Sequence, residues 1–153
     1  MKLFKKILLA LLILFIIIQF IRPAHNLSEQ VLPTDIAKIY AVPVSVQHVL
    51  KIACYDCHSD NTRCPYYAYI QPVGWFLARH VKLGKADLNF SEFGTYSLRK
   101  QQSKLKAIVS QIKDDEMPLT SYKLMHADAR LSKQEKDLIM NWATVTKNNL
   151  QSK

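Results

Sequence analysis

All three cysteines fall within the stretch KIACYDCHSDNTRCPYYAYIQP, and two of them form Cys54-x-x-Cys57-His58. No other feature restricts the fold as much, because the chain must bring two thiols three positions apart, with an imidazole directly after them, onto one ligand or onto each other. Three chemistries use this pattern: covalent haem attachment, a zinc site and a dithiol redox pair. Zinc needs four ligands, and the chain has no second Cys-x-x-Cys and no His-x-x-x-His, so Cys54, Cys57, Cys64 and one histidine would have to converge. A thioredoxin-like dithiol sits where a strand enters a helix, and strand signals are few here. Haem attachment uses every residue of the motif. The two thiols add to vinyl groups as thioethers, and His58, fixed beside them, presents its ring to the iron as proximal ligand. One such motif predicts one covalently attached haem c.

Upstream, in MKLFKKILLALLILFIIIQFIRP, lysines precede an apolar run from Ile7 to Ile21 interrupted only by Gln19, the layout of an export signal. As a helix that run would be about 22 Å long, short of a hydrocarbon core of roughly 30 Å, with Leu3, Phe4 and snorkelling lysines making up part of the gap. FIRPAHN lacks the small-x-small pattern of a cleavage site, and no cysteine follows the run for lipidation. The expectation is an uncleaved transmembrane or signal-anchor segment over residues 1–22 and a linker over 23–42. The haem-binding domain, 43–150, would lie on the periplasmic side of the cytoplasmic membrane. Export bears on the cysteines too, since an oxidising compartment tends to close a bare Cys-x-x-Cys into a disulfide.

Helical periodicity surrounds the motif. Pro43 can occupy a first helical turn, after which Val46, Val49, Leu50 and Ala53 follow the i, i+3, i+4, i+7 rule and deliver Cys54 and Cys57 to the cofactor's edge. A helix from about Ser97 to Lys113 places Leu105, Ile108, Val109 and Ile112 on one face. Next comes KDDEMPLTSY, in which Pro118 pushes Met117 out of helical geometry and lets its unbranched thioether reach inward. Met117 is therefore the expected distal iron ligand. Ser132 and Glu135 form a capping box opening a last helix, with Leu138, Trp142 and Val145 inward. His80 is the alternative distal ligand: Pro72 can start a helix that Gly84 can end, with Val73, Phe76, Leu77, His80 and Val81 on one inward stripe. Ahead of ligation or a bond to a propionate, the first reading of His80 is a core histidine satisfied by a backbone carbonyl. Met125 and His126 read as local packing or capping, His25 and His48 as structural or solvent-facing.

The formal net charge of +9 invites a nucleic-acid reading until its distribution is considered. Lys2, Lys5, Lys6 and Arg22 lie in an N-terminus without acids, which leaves +5 on the rest, mixed with Asp114, Asp115 and Glu116. With 49% hydrophobic and 22% charged residues the chain reads as one folded domain without low-complexity tracts. Tyr66, Tyr67, Tyr69, Trp75, Phe76, Phe90 and Phe93 are expected to wall the porphyrin or fill the core rather than stack on nucleic acid. Three glycines leave no phosphate-binding loop, and no Ser/His/Asp or paired-carboxylate site stands out.

Four segments, IQFIRP, CYDCHSDNT, PYYAYIQPVGWFLARHVKLGKADLNFSEF and DEMPLTSYKLMHADARLS, together resemble the haem-binding-domain family of small, membrane-tethered c-type cytochrome modules over roughly residues 18–143. The resemblance implies an exported haem module attached through Cys54, Cys57 and His58, with Met117, His80 and His126 on family motif positions. It implies no particular substrate. Cys64 departs from the aromatic residue expected near that position. The thiol could be an inert small hydrophobe, an intermolecular disulfide or a redox-sensitive group.

The expected fold is all-α, a cytochrome c-like helical domain around one covalent haem, preceded by the anchor. The expected function is single-electron transfer between membrane or periplasmic redox proteins, without enzymatic bond chemistry. If Met117 does not bind, the open position makes a gas or peroxide sensor or a peroxidase, with Arg79, His80 and His126 as distal groups. A zinc or disulfide structural module is the third reading.

Overall fold

The computed structural model describes residues 2–28 and 30–151; Met1 of the expected anchor and Glu29 of the expected linker lie outside them. Among the described residues the chain forms helices α1 (Lys2–Ile18), α2 (Ile36–Ile39), α3 (Val44–Ala53), α4 (Tyr55–His58), α5 (Val73–Asp87), α6 (Leu98–Lys113), α7 (Thr120–Met125) and α8 (Lys133–Gln151). Short 3-10 turns cover Tyr66–Tyr69, Phe93–Thr95 and Ala127–Ala129, and extended pairing among the described residues is limited to an antiparallel bridge between Leu27 and Asn61. The all-α expectation holds.

The core forms where α8 packs on α6 and α3. In α3 the expected stripe of Val46, Val49, Leu50 and Ala53 is buried, with Pro43 at its N-cap. In α6, Leu105, Ile108 and Ile112 are buried, joined by Gln101, which donates to Tyr96 O and accepts from Tyr40 Oη. Phe90, Phe93, Ile36 and Ile139 complete the interior, each contributing about 1.5–3 kcal/mol of apolar burial. The capping box is present: Ser132 N–H and Oγ–H donate to Glu135 Oε2 at 2.8 and 2.7 Å, and Glu135 N–H returns to Ser132 Oγ at 3.3 Å.

Three expectations fail. No helix among the described residues is long and apolar enough to cross a membrane. α1 spans 17 residues, about 25 Å at 1.5 Å per residue. It stops at Ile18 because Gln19 is diverted: its amide donates to Phe15 O and Gln71 O and accepts from Gln71 N. Gln19, Phe20 and Ile21 close instead with tight three-residue turns. The expected single-pass anchor, and the membrane location resting on it, are overturned.

Second, Gly84 does not end α5, which continues to Asp87, and the expected inward stripe holds only in its second half: Val81 is buried and Leu77 and His80 are half-buried, whereas Val73 and Phe76 are exposed and Gly74 is buried in their place. Close approach decides this, since a Cβ on Gly74 would stand 2.3 Å from Ala68 O and one on Gly84 2.6 Å from Cys57 O. The helix thus seats its glycine-bearing side, not its bulkiest side. Third, α8 buries Ile139, Trp142, Ala143, Thr146 and Leu150, leaving Val145 exposed: the period is right but the phase is turned, and Trp142 Nε1 donates to Ala41 O at 3.1 Å.

Candidate functional site

α3 ends at Ala53 and hands the chain to the single turn of α4, so Cys54, Cys57 and His58 emerge together at the edge of the core. Two segments distant in sequence clamp this turn. Asn26 donates to Ser59 O at 2.7 Å and accepts, at its carbonyl, from Thr62 N, while Ser28 N bonds Asp60 O. On the other side lies the LNFSE segment. Phe90 N donates to His58 O at 2.7 Å, Asn89 Nδ2 to Asp60 Oδ1, and Asp60 N to Ser91 Oγ. Asn89 Oδ1 also accepts from Ser91 N, an Asx-type turn that fixes the clamp's own shape. Lys85 Nζ closes it with an ion pair to Asp60 at 2.6 Å.

The decisive contact is at the imidazole. His58 Nδ1 lies 3.0 Å from both Gly84 O and Leu88 O. Carbonyls can only accept, so Nδ1 carries the proton and Nε2 is left with its lone pair, the tautomer that a metal-ligating histidine needs. The carbonyl of Gly84 reaches the ring because Gly84 lacks a Cβ, which would collide with Cys57 O.

Two adjoining cavities, of about 310 and 240 Å³, share Ala53, His58, Asp87, Met117 and Pro118. The first adds Cys54, Phe90, Lys104 and the inner face of α6; the second adds Cys57, His80, Leu83 and Tyr122. The structure thereby brings together Cys54, Cys57, His58, Met117 and His80, around walls that are mostly apolar. Met117 gets there through the end of α6. Asp115, at φ 59°, occupies the left-handed position of a Schellman turn: Glu116 N bonds Gln111 O, Asp115 N bonds Ile112 O, and Met117 N also reaches Gln111 O. Lys136 pairs with Asp115 on the outside. His80 Nδ1 is 2.9 Å from Phe76 O of its own helix, which leaves its Nε2 free.

Burial pushes the Cys54 thiol up to about 12, with Cys57 adding to it, and the Cys57 thiol up to about 11, with Asp56 adding. Both stay protonated near neutral pH. Thiolate-dependent zinc binding or disulfide exchange is the chemistry such an environment opposes. Cys64 does not join them. It is half-buried beside His25, with Sγ 3.4 Å from Nδ1, on a separate cavity of about 450 Å³. Among the described residues no group of three or more His, Cys, Asp or Glu side chains is placed to hold a metal ion.

Other expected residues fall elsewhere. Tyr66, Tyr69, Trp75 and Phe76 are exposed and line neither cavity; Trp75 instead donates to Ile21 O at 2.7 Å. Phe90 and Phe93 are the aromatics that fill the interior. His126 accepts or donates at 2.6 Å to the Tyr67 hydroxyl and stacks on Tyr122, while Met125, Arg79 and His48 are exposed. A groove of about 640 Å³ between α8 and residues 39–46 is larger than either cavity but contains no cysteine or histidine.

Asp56 and Tyr122 were not foreseen. Asp56, between the two cysteines, is 4% exposed and accepts from Arg63 N, Nε and Nη2 and from the Tyr122 hydroxyl. An acid between two cysteines with an arginine seven residues on is the only trace of this in the sequence. Burial, and then the bond to Asp56, hold the Tyr122 hydroxyl well above the usual phenol range.

Helices α3 to α7 and their connections thus frame two adjoining apolar cavities around a thiol pair and a histidine of fixed tautomer, the features of an all-helical cofactor-binding protein. The family profile described as "Haem-binding domain" matches residues 13–145, and the chain belongs to that family. Comparison with curated proteins and with solved structures gives no match.

Proposed function

We propose that the protein is a mono-haem c-type cytochrome that carries single electrons between redox proteins. The observation that carries this reading is the pair of carbonyls on His58 Nδ1, which leaves Nε2 free where two adjoining apolar cavities meet, one lined by Cys54 and the other by Cys57. The residues present fit the group. Cys54 and Cys57 would hold it through thioethers, His58 Nε2 would be the proximal ligand and the Met117 thioether the distal one. A bound haem supplies reversible one-electron cycling of its iron.

The chain's own part is to hold, dry and bias that centre. Gly84 O and Leu88 O fix the His58 ring. The buried side chains of Ala53, Phe90, Ile108 and Ile112 would exclude water and disfavour net charge, and methionine–histidine ligation would favour the reduced state. His80, in the same cavity with Nε2 free, is the rival distal ligand.

Acid-acetone treatment of matured protein tests the attachment: the pigment should stay with the polypeptide, and complete extraction refutes the thioethers. The oxidised spectrum of Met117→Ala tests the ligand, with loss of the low-spin form expected. An unchanged spectrum removes Met117 and directs the same substitution to His80. Rapid stoichiometric binding of carbon monoxide to the reduced protein would favour a gas or peroxide binder over an electron carrier.

A further inference from the structure

The hydrogen bonds that tie residues 117–125 to α3 and the Cys54–His58 turn come, among the described residues, from the Tyr122 hydroxyl. Tyr122 stands five residues beyond Met117, in α7, and lines the same cavity as Cys57, His58 and Met117. Its hydroxyl donates to Asp56 Oδ2 at 2.6 Å across 66 residues of chain and lies 3.3 Å from Ile52 O.

The acceptor cannot swing. Asp56 Oδ1 takes Arg63 N at 3.0 Å and Nε at 3.2 Å, and Oδ2 takes Arg63 Nη2 at 3.2 Å, so the carboxylate is forked by one guanidinium and one peptide N–H before Tyr122 arrives. The other face of the phenol is also occupied, with the His126 ring stacked at 4.2 Å and an interplanar angle of 17°. Tyr67 Oη bonds His126 Nε2 at 2.6 Å and holds that ring in turn. A side chain clamped at both its tip and its face gives the Met117 segment a fixed reference on the turn that carries His58.

We infer that Tyr122 is a positioning residue for the sixth ligand: anchored on Asp56, it holds the Met117 segment at the cavity and so sets how readily an external ligand displaces the thioether. The inference rests on Met117 being that ligand, as proposed above. A purely structural tyrosine would instead satisfy Asp56 and stabilise the fold without affecting ligand exchange.

The test uses oxidised holoprotein of wild type, Tyr122→Phe and Met117→Ala, with imidazole as the incoming ligand. Tyr122→Phe should keep its haem, show a weakened methionine-to-iron charge-transfer band and bind imidazole about tenfold faster, the scale of one lost hydrogen bond to a charged acceptor. His126→Ala, which removes the stacked ring and keeps the Asp56 bond, should shift the rate the same way by less, and serves if Tyr122→Phe does not fold. A lowered urea midpoint with wild-type imidazole kinetics and an unaltered band overturns the inference alone. An unchanged spectrum in Met117→Ala overturns the ligand assignment, and this inference with it.

Discussion

His58 and Met117 line the same cavity, yet the chain holds them by different means. The histidine side is held by many bonds: two backbone carbonyls on the ring, His58 O on Phe90 N, and the asparagine side chains of the LNFSE and Asn26–Ser28 segments on either flank. The methionine side has a half-buried thioether on a single Schellman turn, tied across the cavity by one phenol. If both side chains bind the iron as proposed, the histidine would be the more firmly held of the two, and the hold on the methionine would rest on few contacts.

The largest effect that would sharpen this contrast is expected from His58→Ala. Its holoprotein should lose the histidine-bound spectrum altogether, whereas Met117→Ala should lose the low-spin form yet keep a histidine-bound high-spin spectrum, as optical and magnetic resonance spectra would show. Gly84→Ala comes next. The added methyl group meets Cys57 O at 2.6 Å, so despite better helix propensity the substitution should cost about 2 kcal/mol or more in urea unfolding. A neutral or stabilising outcome would mean that α5 is not seated against the turn. Asn89→Ala removes both its bond to Asp60 and its own Asx turn and should cost about 1–2 kcal/mol, more than Tyr122→Phe in the same assay. The reverse order would break the comparison.

The smallest effect lies far from the cavity. Ser132→Ala should cost about 1 kcal/mol at neutral pH through loss of the α8 cap. Hydrogen bonds from Ser132, side chain first, hold the Glu135 carboxyl below the usual glutamate range. A carboxyl whose folded value is depressed contributes stability above its unfolded value and loses it as pH falls through the folded one. The gap between wild type and Ser132→Ala should therefore narrow below about pH 4.

What the sequence disclosed was mainly local. The α3 stripe, the inner face of α6 and the capping box each depend on spacing over one or two helical turns, and each is found as read. The convergence of Met117 with His58 was legible because proline and a helix end coincide there. The failures were matters of contact between distant segments. Gly84 reads as a helix stop by conformational preference, but here it marks where α5 touches Cys57 O. Trp75 and Phe76 read as cofactor wall or core by composition, yet the glycine-side seating of α5 turns them outward. Gln19 seemed a minor interruption in an apolar run; its bonds to Gln71, 52 residues away, end α1. Asp56 with Tyr122 left no periodic trace, because a pair separated by 66 residues obeys no spacing rule.

The carbonyls that take the His58 proton belong to the last turn of α5 and its cap, the electron-rich pole of that helix. A ring whose N–H leans toward that pole gains partial imidazolate character, and its opposite nitrogen becomes a stronger donor. The length of one helix thereby bears on how strongly His58 can donate to a metal. Lengthening or trimming the final turn of α5 would retune the donor strength of His58 without altering an atom of the ring.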